Sequence, residues 1–133
     1  MAERLFIITG ASRGLGAAMA DRLAAPGHVL LCIARHNDPA FAAHGASKGA
    51  RVEQWDVDLG RPGEVSTRLA SWLGGIDARE SGDATLINNA AVLTPVGPLD
   101  ACTDAEISQA LRVGLEAPML LTAAFLRATR EWA

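Results

Sequence analysis

A chain of 133 residues, half of them apolar and a fifth charged, is long enough to bury a core and reads as one domain, residues 1–133. Its net charge of −3 leaves no basic face to neutralise phosphates, which argues against nucleic acid as a partner. No apolar run approaches the roughly 20 residues of a membrane span, and Met1-Ala2-Glu3-Arg4 has no signal-peptide core, so no membrane partner is expected.

Leu5-Phe6-Ile7-Ile8 is continuously apolar, the pattern of a strand buried on both faces. Thr9-Gly10-Ala11-Ser12-Arg13-Gly14-Leu15-Gly16 follows and opens a helix over residues 17–24, with Leu15, Met19 and Leu23 as its core-facing stripe and Pro26-Gly27 as its stop. Strand, glycine loop and helix together suit an anion. Glycines turn the chain sharply and remove Cβ atoms, and the N–H groups and dipole of the new helix face a phosphate.

His28-Val29-Leu30-Leu31-Cys32-Ile33-Ala34 is a second buried strand, ending at Arg35. Dinucleotide folds selective for NAD place an Asp or Glu about 20 residues after the glycine loop to accept from the ribose 2′-OH. Here the residue nineteen after Gly16 is Arg35, whose guanidinium suits a 2′-phosphate, with Arg13 as a second clamp. NADP is therefore expected in preference to NAD. The plainer alternative leaves both arginines as solvated surface charges.

His36-Asn37-Asp38-Pro39 begins a loop, residues 41–46 form a short helix, and Gly45 and Gly49 frame a turn. Residues 50–55 read as a third strand because their place between two helices demands one. Asp58 can cap a helix starting at Pro62-Gly63-Glu64. Val65, Leu69, Trp72, Leu73 and Ile76 carry helical spacing, and Gly74-Gly75 ends that helix. Residues 77–83 read as a polar loop and residues 84–87 as the fourth strand. That strand delivers Asn88 and Asn89 to the carboxyl edge, where open α/β sheets bind ligands. Small residues at Ala90 and Ala91 let a ribose approach the backbone, although Asn-Asn is also a common turn pair.

Residues 92–100, with Pro95, Gly97 and Pro98, form a loop. Thr103-Asp104-Ala105-Glu106 is a capping box, and the helix it opens runs past Ile107 and Leu111 to Leu126, kinked or divided at Gly114 and Pro118. Its second half is apolar around much of its circumference, which suits burial against its own sheet or against a twin. Cys32 in a strand and Cys102 in a loop fit reduced thiols, hence a cytoplasmic location. No Cys-x-x-Cys or His-x-x-x-His spacing exists, and His28, His36 and His44 are eight apart, so no metal is expected.

Thr9-Gly10-x-x-x-Gly14-x-Gly16 resembles the cofactor loop of the short-chain dehydrogenase/reductase family, and Asn88-Asn89-Ala90-Ala91 resembles its Asn-Asn-Ala-Gly element, with Ala91 in place of the Gly. Asp56-Val57-Asp58-Leu59 is similar to the family's Asp-hydrophobic pair at the adenine ring; Asp58 with Leu59 is the alignment taken, with Asp56 competing. The matches occur in the family's order across the whole chain. The resemblance implies an α/β, Rossmann-like doubly wound parallel sheet of order 3-2-1-4. It also implies a nicotinamide dinucleotide held by Gly10, Ser12, Arg13, Gly14, Leu15, Gly16, Arg35, Asp58, Leu59, Asn89, Ala90 and Ala91. The parent activity it implies is hydride transfer with a small carbonyl or alcohol substrate, in a homo-oligomer built through residues 103–132.

The family's catalytic Tyr and Lys, spaced four apart, have no counterpart: Tyr is absent and the one Lys, Lys48, comes too early. Gly114 stands where the family's helix carries an Asn. The chain reads as the front half of a dehydrogenase, truncated after the fourth strand and the following helix. It carries no catalytic residue of its own and is expected to be inactive as given. The alternative is a non-catalytic nucleotide-binding or dimerising module.

Overall fold

Alternation within two central strands builds two cores at once. In β1 (Glu3–Thr9), Leu5 and Ile7 face one side of the sheet while Phe6 and Ile8 face the other. In β2 (His28–Ala34), Val29, Leu31 and Ile33 oppose Leu30 and Cys32 in the same way. A computed structural model describes residues Glu3 to Trp132; Met1-Ala2, part of the signal-peptide reading, and Ala133 lie outside the described residues. The sheet is parallel, of order β3-β2-β1-β4, where β3 is Arg51–Asp56 and β4 is Ser81–Ile87. Ile7 pairs with Leu31 on one side and Leu86 on the other, so β1 is central.

Helices α1 (Gly14–Leu23) and α2 (Pro39–Ser47) cover one face. Helix α3 (Pro62–Gly74) covers the other face together with α5 (Ala117–Thr129), which follows α4 (Asp104–Leu111). Thr103 caps α4 as expected. Its Oγ1 accepts from the Glu106 N–H at 3.1 Å, and the Glu106 carboxylate accepts from the Thr103 N–H at 3.0 Å. Between α4 and α5 the chain widens into a π-helical turn, Arg112–Glu116, in which the Ala117 N–H bonds the Arg112 carbonyl. Pro118 has no N–H to give Gly114, and the wider turn absorbs that loss and the ring's bulk. Proline here divides the helix by widening it.

Several boundaries and faces differ from the sequence reading; β3 is shifted by one residue from 50–55, and α1 starts at Gly14 rather than residue 17. Helix α1 buries Gly16, Ala20 and the capping Ala24; of the expected Leu15, Met19, Leu23 stripe, Leu23 packs partly buried against the same core while Leu15 is 69% exposed. Small residues let the helix lie close to the sheet, which a Leu stripe would hold off. Helix α2 begins at Pro39, because Asp38 accepts from the Ala40 N–H at 3.0 Å and Pro at the first position suits a helix start; Gly45 therefore lies inside α2, against Val52. Strand β4 starts at Ser81 rather than residue 84, since backbone pairing to Glu3 and Arg4 defines it where the side chains are polar. Asp58 does not cap α3; it accepts from the Gly60 N–H at 2.8 Å in a local turn, and Arg61 is the capping residue.

Among the described residues no helix is long and apolar enough to cross a membrane, and no group of three metal-ligating side chains occurs. Leu31 is fully buried and shared by the sheet and the α3/α5 layer. Leu31→Ala is expected to cost about 2–5 kcal/mol of stability, read as a lower urea midpoint at unchanged m-value.

Candidate functional site

The order 3-2-1-4 means that the chain leaves β1 toward β2 and later returns to β1's other side. The ends of β1 and β4 therefore diverge into a crevice, the usual ligand position in an open α/β sheet. A cleft of about 710 Å³ opens there, within the range of small-molecule sites.

One hydroxyl holds its two walls together. Thr9 Oγ1, buried at the end of β1, accepts from the N–H groups of Asn89 and Ala90, both at 3.0 Å, and lies 3.5 Å from the Ile87 carbonyl. A hydroxyl has two acceptor sites and one donor, so this geometry uses all of it. Asn89 Nδ2 then donates to the Gly10 carbonyl at 3.2 Å, tying the β4 end to the glycine loop. Asn88 Nδ2 reaches Thr122 Oγ1 on α5 at 3.1 Å.

The glycines have separate tasks. Gly10 and Gly14 take positive φ, +66° and +57°, which side chains disfavour. A Cβ on Gly16 would lie 2.0 Å from the Gly10 carbonyl oxygen and 2.6 Å from Asn89 Nδ2, so its bareness lets α1 dock on the loop. A Cβ on Gly14 would meet nothing within 4 Å, leaving the start of α1 open. Arg13, the capping residue there, supplies no side-chain cap, in contrast to Asp38 at α2 and Thr103 at α4. Among the described residues the first-turn N–H groups of α1 thus have no side-chain acceptor, a donor set that fits a pyrophosphate.

The second wall is the segment after β2. Asn37 fixes it. Its backbone N–H and Nδ2 donate to Asp56 Oδ1 at 2.9 and 3.0 Å, and Nδ2 also reaches the Trp55 carbonyl at 2.8 Å. Those donors, the backbone one foremost, hold the Asp56 carboxyl below the ordinary aspartate range. Asp56 is committed to this anchor, while Asp58 and Leu59 line the cleft.

Of the residues singled out in the sequence, Gly10, Ser12, Arg13, Gly14, Arg35, Asp58, Leu59, Asn89, Ala90 and Ala91 line this one cleft. Leu15 and Gly16 do not; Leu15 points to solvent and Gly16 is packing. Sequence reasoning missed Ala34, His36, Asn37, Asp38, Val57, Val92, Gln109 and Val113, which also line it. Asp38 qualifies the cationic reading of Arg35, since it adds a carboxylate to the same wall, with one oxygen engaged as the α2 cap. Cys32 lies buried in β2, and burial pushes its thiol up to about 11, so it stays protonated at neutral pH. Lys48 lies outside the cleft: its ammonium bonds the Asp21 carbonyl and sits 3.3 Å from that residue's carboxylate.

Thr9→Val, nearly isosteric, is expected to cost about 1–3 kcal/mol by removing the acceptor of two part-buried N–H groups, with Thr9→Ser retaining most of the stability in a denaturant titration. A depressed carboxylate stabilises the fold above its unfolded pKa and loses that contribution as pH falls through the folded value. Carboxyl NMR should therefore show Asp56 titrating below 3.8, and Asn37→Ala should move its midpoint up toward that value.

The family model described as short chain dehydrogenase matches residues 4–132. A benzil reductase ((S)-benzoin forming) from Bacillus subtilis is 31% identical over 123 residues, covering 92% of this chain and 48% of the relative. A short-chain dehydrogenase from Sphingobium yanoikuyae in complex with NADPH superposes with a TM-score of 0.79 at 31% identity, covering 95% of this chain and 48% of that one. A 3-oxoacyl-[acyl-carrier protein] reductase from Brucella melitensis in complex with NAD gives 0.80 at 25% identity, covering 99% and 51%. The chain spans about half the length of the curated relatives it matches.

Proposed function

The chain belongs to the short-chain dehydrogenase family, and from that premise we propose that it is the NADP-binding half of an oxidoreductase acting on carbonyl or alcohol substrates. One observation carries the reading. The uncapped start of α1, the Arg35 segment and the Asn89-Ala90-Ala91 backbone converge on a single cleft at the sheet's carboxyl edge.

The dinucleotide supplies hydride chemistry when bound; the residues here hold and orient it. The α1 N–H groups take the pyrophosphate, Ala90 and Ala91 leave backbone room for a ribose, and Leu59 and Val113 offer an apolar wall to the adenine. Arg13 and Arg35, both exposed and without an ion pair among the described residues, favour a 2′-phosphate, so NADP is proposed over NAD. The Tyr–Lys pair that the family uses as its general acid has no counterpart in this cleft, because Tyr is absent and Lys48 is engaged elsewhere. The chain by itself is proposed to be inactive. Leu111, Leu115, Met119 and Leu126 leave an exposed apolar stripe along α4 to α5, which favours a homo-oligomer through this region. Two unpaired cysteines favour the cytoplasm.

Calorimetric titration tests the cofactor assignment. NADP should bind more tightly than NAD, and Arg35→Asp should weaken NADP by roughly 10- to 100-fold while leaving NAD unchanged or bound more tightly. Equal affinity for both dinucleotides in the wild-type chain would refute the NADP preference.

A further inference from the structure

Away from the cleft, a second hollow of about 640 Å³ opens between the first half of β3 and the last turn of α3. Val29, Ile76 and the half-buried ring of Trp72 give it an apolar floor. Glu53 stands at its rim and is held from two sides. Its Oε1 accepts from Trp55 Nε1 at 3.1 Å and its Oε2 from Trp72 Nε1 at 2.8 Å, with the two rings edge to face at 5.9 Å. A carboxylate offers about four lone-pair sites, so each oxygen keeps one open after these bonds.

The neighbouring cations are engaged elsewhere. Arg51, on the same rim, has its Nη1 3.5 Å from the Glu3 carboxylate, and Arg68 stacks over the Trp55 ring at 4.1 Å. Among the described residues Glu53 forms no salt bridge. The last turn of α3 carries no basic residue, and Ser71 and Gly75 complete the rim without charge. The negative end of the α3 dipole adds to the potential there. We propose that this hollow binds organic amines, with the ammonium on Glu53 and an apolar body along Trp72, Ile76 and Val29. The hollow shares no lining residue with the cofactor cleft, so the proposal is independent of the dinucleotide assignment. The two indoles fix the carboxylate before any ligand arrives, which spares the cost of ordering it on binding. An alcohol of the same shape lacks the charge, and a carboxylate of the same shape meets Glu53 as a like charge.

Indole N–H resonances report on the site directly, because Trp55 and Trp72 bond Glu53 and Trp132 does not. Phenethylamine, phenethyl alcohol and hydrocinnamate share one apolar body and differ in head group, and each is titrated into the chain. Phenethylamine should shift the Trp55 and Trp72 indoles and leave Trp132 unmoved. It should bind about three- to tenfold more tightly than the alcohol, with hydrocinnamate weaker still. Ser71→Arg, an exposed change that sets a cation on the rim and also suits the end of α3, should weaken the amine several-fold. Glu53→Gln should do the same, and circular dichroism shows whether that variant folds. The proposal is overturned by an alcohol that binds as tightly as the amine, or by an amine affinity unchanged in Ser71→Arg. Trp55 and Trp72 indoles that phenethylamine leaves unmoved at millimolar concentration overturn it as well.

Discussion

The clasp formed by Thr9 is the constraint on which the rest of the site depends. Parallel strands β1 and β4 share a ladder only as far as Ile8 and Ile87, and beyond it their backbones must part to make a crevice. Parting leaves half-buried N–H groups without ladder partners, which is costly unless a side chain takes them. One threonine hydroxyl takes two of them, at Asn89 and Ala90. Asn89 can then reach back to Gly10, and the loop that Asn89 secures has room for α1 only because Gly16 is bare. Strand end, glycine loop and helix start thus form one unit, and the open amides at the start of α1 follow from it.

A second anchor sets the opposite wall. Asn37 bridges the ends of β2 and β3 through Asp56 and the Trp55 carbonyl, which places Arg35, His36 and Asp38 along the cleft. Thr9 does not line the cleft, and Asn37, which does, spends its amide on Asp56 and the Trp55 carbonyl. Both fix backbone from which cleft-lining groups project, so the site's precision derives from the sheet rather than from loop rigidity.

The fold was legible wherever apolar pattern and burial coincide. Leu5 to Ile8 and Val29 to Ala34 read as strands buried on two faces, and Thr103 with Glu106 announced a helix start that the hydrogen bonds reproduce. Reading failed where packing distance or backbone pairing decides. Large-residue spacing points to Leu15, Met19 and Leu23 on α1, yet close approach to the sheet selects Gly16, Ala20 and Ala24, with only Leu23 of the three packed beside them. The start of β4 at Ser81 has no apolar signal, because only its pairing with β1 makes it a strand. In the site, motif residues were visible because glycine spacing and the Asn pair are local. Thr9 stands in the glycine motif, but its task spans about 80 residues of sequence and has no local signal. Asn37 has no local signal at all; it matters through what the fold brings against it.

The central claim is that the first turn of α1 receives the anionic middle of a nicotinamide dinucleotide. Backbone amide NMR of the chain during addition of NADP addresses it directly. The account predicts the largest shifts at Gly14, Leu15 and Gly16, with Arg35 and Ala90 following at the same ligand concentration. Shifts confined to other surfaces, with those three amides unmoved at saturation, would contradict it.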